Sequence, residues 1–252
     1  MAQIKHVAVA LFLSFSLLDI CAQHIEYQAT TQINSDISPD AEMDSVIAVS
    51  RAELAEFMNE TIGTSTTTMS AVRPESELTR LLADILLAQS QRISNENSDI
   101  PTAQIALLNI GGIRANLPEG NVTRGNIFEI APFENSIVIQ QFTGVQLREI
   151  CNHIAQRGGE AVAGIRFQIV DNQAQNILVN EMPLNDDEIY TLATIDYLAH
   201  GGDGFDMLCK SMTYETQIRI RDAFIDYIKL HADTPLVAPT DVRISIIDNE
   251  NE

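Results

Sequence analysis

The chain has 252 residues, 45% of them hydrophobic, with 12 Gly and 8 Pro; this supplies a buried core and excludes a disordered, collagen-like or polytopic membrane protein. Fifteen Lys and Arg stand against 35 Asp and Glu, a formal net charge of −20 that repels nucleic-acid phosphates and argues against DNA or RNA as a partner. An anionic ligand would need local cations acting within a Debye length of about 8 Å, so each arginine is informative.

Lys5 and the apolar run Val7 to Leu18 are too short for a span of about 20 residues, and they have the form of a secretory signal ending near Ala22. The expected location is therefore periplasmic, outer-membrane-associated or extracellular, with no transmembrane segment after signal removal. Lipidation at Cys21 is the alternative, although Asp19 and Ile20 make a poor lipobox. Removing residues 1–22 leaves Cys151 and Cys209, for which a disulfide and two buried thiols both stay open.

Ser38 and Pro39 read as a helix start, and Met43, Val46, Ile47, Leu54, Phe57 and Met58 recur at helical spacing up to Gly63. A polar Ser/Thr stretch, 64–70, follows. Pro74 opens a second helix with the stripe Leu78, Leu81, Leu82, Ile85 and Leu86, and Ile105 to Leu108 is a strand-length run ending at a glycine turn. Thr143 and Gln146 form a capping box ahead of Leu147, Ile150, Cys151 and Ile154, with Gly158 and Gly159 stopping that helix. Strand-like runs lie at 136–142, 165–170, 177–179, 189–194 and 242–247, while Ile218, Phe224, Tyr227 and Ile228 mark a helix near the C-terminus. This order is neither regular βαβ nor all-β; it predicts an α+β domain over 71–252, preceded by a lead-in over 23–70 that carries the first helix.

His24, His153, His200 and His231 are scattered, without the His, Asp and Asn convergence that a two-metal phosphoesterase requires, so neither a metal nor another cofactor is expected in this chain. A Gly-x-Ser-x-Gly elbow is also absent, and no catalytic residue is assigned. Three other segments carry chemistry. In Asn109-Ile110-Gly111-Gly112-Ile113-Arg114, paired glycines let backbone N–H groups approach a ligand and a guanidinium follows, a combination suited to phosphate; a plain turn with a solvent-facing Arg is the alternative. Ala131-Pro132-Phe133-Glu134-Asn135 and His200-Gly201-Gly202-Asp203-Gly204-Phe205 each end a rigid or irregular backbone near a phenylalanine. Such rings either sandwich a planar heterocycle or plug the core under their loops.

In this order and spacing the three segments resemble the C-terminal substrate-binding domain of the 5'-nucleotidase and UDP-sugar hydrolase family. The likeness extends over about residues 40–247, through Ile62-Gly63, Arg73-Pro74-Glu75-Ser76, Gly120 to Phe128, Thr143-Gly144 and Tyr197-Leu198-Ala199. It implies a layered α/β/β/α-type domain in which Phe133 and Phe205 stack on a nucleobase. Asn109, with Gly111 and Gly112, would orient the base or sugar, Arg114 would hold phosphate, Arg73 would be a second phosphate cation, and Asp203 a further substrate contact. Two departures stand out: Ile110 where the family usually has a third glycine, and Thr79-Arg80 where a Gly-Asn or Thr-Asn pair is usual. The family's N-terminal metallophosphoesterase domain, which carries divalent metals, has no counterpart in this sequence. The resemblance therefore implies the nucleotide-binding half of a split 5'-nucleotidase, with the metallophosphoesterase in trans; a stand-alone nucleoside- or nucleotide-binding protein without turnover is the alternative.

Overall fold

The computed structural model describes residues 34, 37, 38 and 40–247. The signal segment, the Cys21 alternative, Pro39 and the acidic tail lie outside the described residues. The chain divides into two units, 1–47 and 48–252. In the first, the described residues are chiefly the opening turns of helix α1 (Ala41–Met58). Its cap is Asp40 instead of Ser38: Asp40 Oδ1 accepts hydrogen bonds from the N–H groups of Glu42 and Met43 at 2.9 and 3.1 Å. The helix buries no residue. Its best-placed apolar side chain, Phe57, meets the Phe128 ring edge-on at 6.3 Å and lies under the Arg124 guanidinium.

The second unit is α+β, as expected, and its strands form three sheets. A five-stranded sheet has the order β10 (Thr213–Arg219), β4 (Ser136–Thr143), β9 (Ile189–Ile195), β2 (Ile105–Leu108), β5 (Ala161–Ala163). A four-stranded sheet runs β11 (Ile244–Ile246), β6 (Ile165–Val170), β7 (Gln173–Val179), β8 (Met182–Pro183), and β1 (Thr61–Ser65) pairs antiparallel with β3 (Gly120–Thr123). The β1 pairing ties residues 61–65 to the domain. Ser/Thr richness hid this strand, although Ile62 and Ser65 are buried in it.

Helix α2 (Glu77–Glu96) starts at a Ser76/Thr79 capping box and buries the whole stripe Leu78, Leu81, Leu82, Ile85 and Leu86. It packs on β2, β5 and β9 and against α6 (Ile220–Leu230). Between them lies the short helix α3 (Arg124–Ile130) in sequence, capped by Thr123. Helix α4 (Gly144–Gln156) has the predicted capping box: Thr143 N–H donates to Gln146 Oε1 at 2.9 Å and Gln146 N–H to Thr143 Oγ1 at 3.3 Å. It packs against β4 and β9 of the larger sheet and β7 of the smaller. Strand β9 is buried from Tyr190 to Ile195, which explains its continuous apolar run: both faces are covered. Ile218 belongs to β10, so the last helix starts at Ile220, two residues later than its apolar spacing indicates.

The two cysteines among the described residues are free, Cys151 in the core and Cys209 exposed, so neither the disulfide nor a pair of buried thiols is realised. Burial pushes the Cys151 thiol up to about 12, which keeps it protonated and unreactive.

Candidate functional site

The sheet register brings the three chemistry-bearing segments to one edge. Strands β2 and β9 run parallel, with Ile105 opposite Leu192, so the residues after each emerge at the same end: Asn109 after β2, and helix α5 (Asp196–Ala199) after β9. Strand β4 is antiparallel to β9, with Ile137 opposite Ile195, so the loop preceding β4 arrives at that end too. Carboxyl ends of parallel strands are the usual place for a ligand crevice, because backbone groups there have finished pairing. Ser136 N–H donates to Asp196 Oδ2 at 3.1 Å, tying the second loop to the third, and Arg114 N–H donates to Ile130 O at 2.9 Å, tying the first to the end of α3.

A hollow of about 280 Å³ opens there, lined by Asn109, Gly111, Gly112, Phe133, Asn135, Tyr197 and Asp203. Of the residues named from sequence, Asn109, Gly111, Gly112, Phe133 and Asp203 are thus brought together. The Phe133 ring is 50% exposed and Tyr197 43%. Asn109 Nδ2 donates to Asp203 Oδ2 at 2.8 Å, Tyr197 OH donates to Asp203 Oδ1 at 3.1 Å, and Arg157 Nη2 stands 3.2 Å from Oδ2. Asp203 has φ 56°, a left-handed conformation costly for a side chain with Cβ, held here by these bonds.

Phe205 is placed otherwise. It is fully buried, edge-on to His153 with ring centres 4.4 Å apart, and does not line the hollow. This corrects the expected pairing of Phe133 with Phe205: the second ring at the hollow is Tyr197. The reason is local. A Cβ on Gly202 would lie 2.5 Å from the Tyr197 ring, so the glycine makes room for that ring at the surface, while the 3₁₀ turn 206–210 folds the chain after Phe205 back onto the core. An amphipathic Tyr suits a half-open position better than Phe, since its hydroxyl reaches a carboxylate while its ring stays accessible.

Arg114 is exposed, makes no ion pair among the described residues, and donates to Gly111 O at 3.2 Å, which sets it beside the glycine turn. Arg73 is engaged elsewhere. Its guanidinium bonds Gly159 O and pairs with the buried Glu160 at 2.9 Å, so it is not the free phosphate cation expected from sequence. Arg80 is likewise structural, donating to Pro239 O at 3.1 Å and Glu75 Oε1 at 3.0 Å. The Phe133 loop is held from behind by Arg221, which is buried, pairs with Glu134, donates to the carbonyls of Ala131 and Pro132, and lies 4.1 Å from the Phe128 ring centre. The hydrogen bond from Arg221 holds the Glu134 carboxyl below the ordinary glutamate value.

Sequence reasoning missed Tyr197 as a ring at the hollow, and Asn135, Arg157, Arg221 and Glu160 altogether. Tyr197 carried a usable signal, an aromatic with a polar tip just ahead of a glycine-rich turn; Glu160 and Arg157 carried none, because an Arg and a Glu three apart look like any solvated helix end. Among the described residues, no group of three or more His, Cys, Asp or Glu side chains is placed to hold a metal ion, and no helix is long and apolar enough to cross a membrane.

The sequence pattern of the family described as "5'-nucleotidase, C-terminal domain" matches residues 57–210, more than half of the chain, and this protein belongs to that family. Among curated relatives, it is 28% identical over 180 residues to the trifunctional nucleotide phosphoesterase protein YfkN of Bacillus subtilis, covering 63% of this chain and 12% of that one. It is 27% identical over 229 residues to a 5'-nucleotidase of Diplobatis ommata, covering 79% and 40% respectively. In fold it matches the crystal structure of a 5'-nucleotidase precursor from Thermus thermophilus with a TM-score of 0.69 at 23% identity, over 85% of this chain and 45% of that one. The chain thus spans less than half the length of each of these proteins.

Proposed function

We propose that this chain is the nucleotide-binding half of an exported split 5'-nucleotidase, which presents nucleoside 5'-monophosphates to a metallophosphoesterase acting in trans. One observation carries the reading: two half-exposed aromatic rings, Phe133 and Tyr197, share a hollow with the amides of Asn109 and Asn135 and the carboxylate of Asp203. Rings take the faces of a planar base, at about 1–3 kcal/mol per stacked base, while the amides and carboxylate meet its polar edge and the sugar hydroxyls. Arg114 supplies the nearby positive charge for phosphate. The partner would hold divalent metals that supply an activated water; attack on phosphorus would break the bond to the ribose 5'-oxygen, which takes up a proton, giving nucleoside and inorganic phosphate. The apolar run before residue 19 supports export.

The test is calorimetric titration of AMP into the mature chain, followed by a phosphate-release assay after mixing with candidate metallophosphoesterases recovered from the same envelope. Saturable binding, with hydrolysis only in the mixture, is expected. No heat at millimolar AMP, with or without the partner, overturns the reading; tight binding with no hydrolysis in any mixture replaces it with capture without turnover.

A further inference from the structure

The hollow's polar floor is assembled from two separate loops, and besides the Asn109–Asp203 bond they are joined by Glu160 and Arg157, which do not line it. Glu160 is fully buried and follows Gly159, whose φ of +110° and missing Cβ leave room for Pro74 O, which a side chain there would strike. Three donors converge on its carboxylate. Ile110 N–H reaches Oε2 at 2.6 Å, while Arg73 Nη2 and Arg157 Nε reach Oε1 at 2.9 and 2.7 Å. Arg157 then continues to the other loop: its Nη1 donates to Asp203 O at 3.0 Å, and its Nη2 stands 3.2 Å from Asp203 Oδ2. Asn109, next to Ile110 in the chain, closes the circuit by donating to that same Oδ2 at 2.8 Å.

A buried ion pair stabilises a fold little more than apolar groups of equal volume would, so the main effect of this one is directional. Bonding to the first N–H of the Ile110–Gly112 turn sets where Gly111 and Gly112 face, and the rigid fork of Arg157 sets the height of Asp203 over them. We propose that Glu160 and Arg157 are positioning residues: they hold the Asn109–Gly112 turn and Asp203 at the spacing that a bound nucleotide bridges, without touching it. The proposal rests on the nucleotide-binding reading of the hollow. It also accounts for Ile110, since a side chain at that position is compatible with a turn pinned through its N–H by Glu160.

Glu160→Gln and Arg157→Lys, made in the full chain, test it against Asp84→Asn, which weakens the 2.8 Å pair of Asp84 with Arg243, neither of which lines the hollow. With Glu160→Gln, AMP binding is expected to weaken about tenfold, and the Ile110 amide proton to move upfield as its charged acceptor is lost. Arg157→Lys, which cannot span both carboxylates, is expected to weaken binding three- to tenfold. Asp84→Asn should lower the melting temperature and leave the Kd unchanged. Parental affinity in Glu160→Gln, measured well below its melting temperature, overturns the proposal, as does equal weakening in Asp84→Asn. If Glu160→Gln does not fold, Arg157→Lys decides by the same criterion. If the parent itself binds no AMP, the nucleotide reading has failed, and the pair is judged by hydrogen exchange at Ile110, Gly111 and Gly112. At least tenfold faster exchange in the variants sustains it, and unchanged exchange overturns it.

Discussion

Phe133 and Phe205 follow the same sequence logic, a ring carried on a glycine- or proline-bent loop, and meet opposite fates. The first is half exposed at the hollow; the second is sealed in the core against His153. The Phe133 loop has its backbone carbonyls gripped by Arg221 from inside and its Glu134 drawn onto the same guanidinium, which leaves the ring no way inward. The Gly201–Phe205 loop is held at Asp203, whose backbone carbonyl accepts from Arg157 Nη1 at 3.0 Å, and then turns directly into a 3₁₀ segment that carries the Phe205 ring into the core. A bent loop by itself therefore does not decide whether its phenylalanine faces solvent; where the loop is gripped and where the chain runs next do.

The largest effects should separate these two rings. Phe205→Ala is expected to lose about 3–5 kcal/mol of stability in urea or thermal denaturation, as for other fully buried aromatics. Phe133→Ala should stay within about 0.5 kcal/mol of the parent in the same measurement and instead weaken AMP binding by roughly tenfold or more. The reverse pattern would break the distinction. Tyr197→Ala should behave like Phe133→Ala in a titration with AMP. Tyr197→Phe keeps the ring, so a loss of about 1 kcal/mol or less, from the missing bond to Asp203, is expected; a full loss would show that the hydroxyl, not the ring, meets the ligand.

A smaller effect follows from the Glu134 anchor. Its carboxyl sits below the ordinary value of 4.5 chiefly through the Arg221 hydrogen bond, so it adds stability above that pH and loses it as the pH falls toward the lowered value. Glu134→Gln should flatten the acid limb of the stability profile as the pH falls below 4.5, measured by thermal melts in low salt, with little change in the slope at pH 7. The smallest effect concerns the thiols. A maleimide probe at pH 7.5 should label Cys209 quickly and leave Cys151 untouched until the chain is denatured, since burial keeps the latter protonated; two equally fast labels would contradict the packed α4 core.

Much of the fold is legible in the sequence because its signals are local. The α2 stripe, the Thr143 capping box and the apolar runs of β2, β4, β6 and β9 each report burial by spacing alone, and each appears where expected. Strands β1, β3 and β10 escaped for the complementary reason: they are short, exposed or interrupted by register shifts, and their existence depends on the partner strand. The site divides in the same way. Asn109, Phe133 and Asp203 stand next to punctuation that marks a bent backbone, whereas the use of Arg73 and the inward turn of Phe205 depend on residues about 90 and 50 positions away in the chain, respectively.

By itself, then, the order of residues determined the long helices and the apolar strands, that three bent loops carry the polar and aromatic groups, and that the acidic chain has few cations to spend on an anion. Folding alone decided which ring faces solvent, that Arg114 makes no ion pair among the described residues while Arg73 is tied to Glu160, and that Glu160 joins two loops. The physical reason is range: periodicity and capping act within a few residues, but a side chain's exposure and charge partner are set by whatever the sheet register brings beside it.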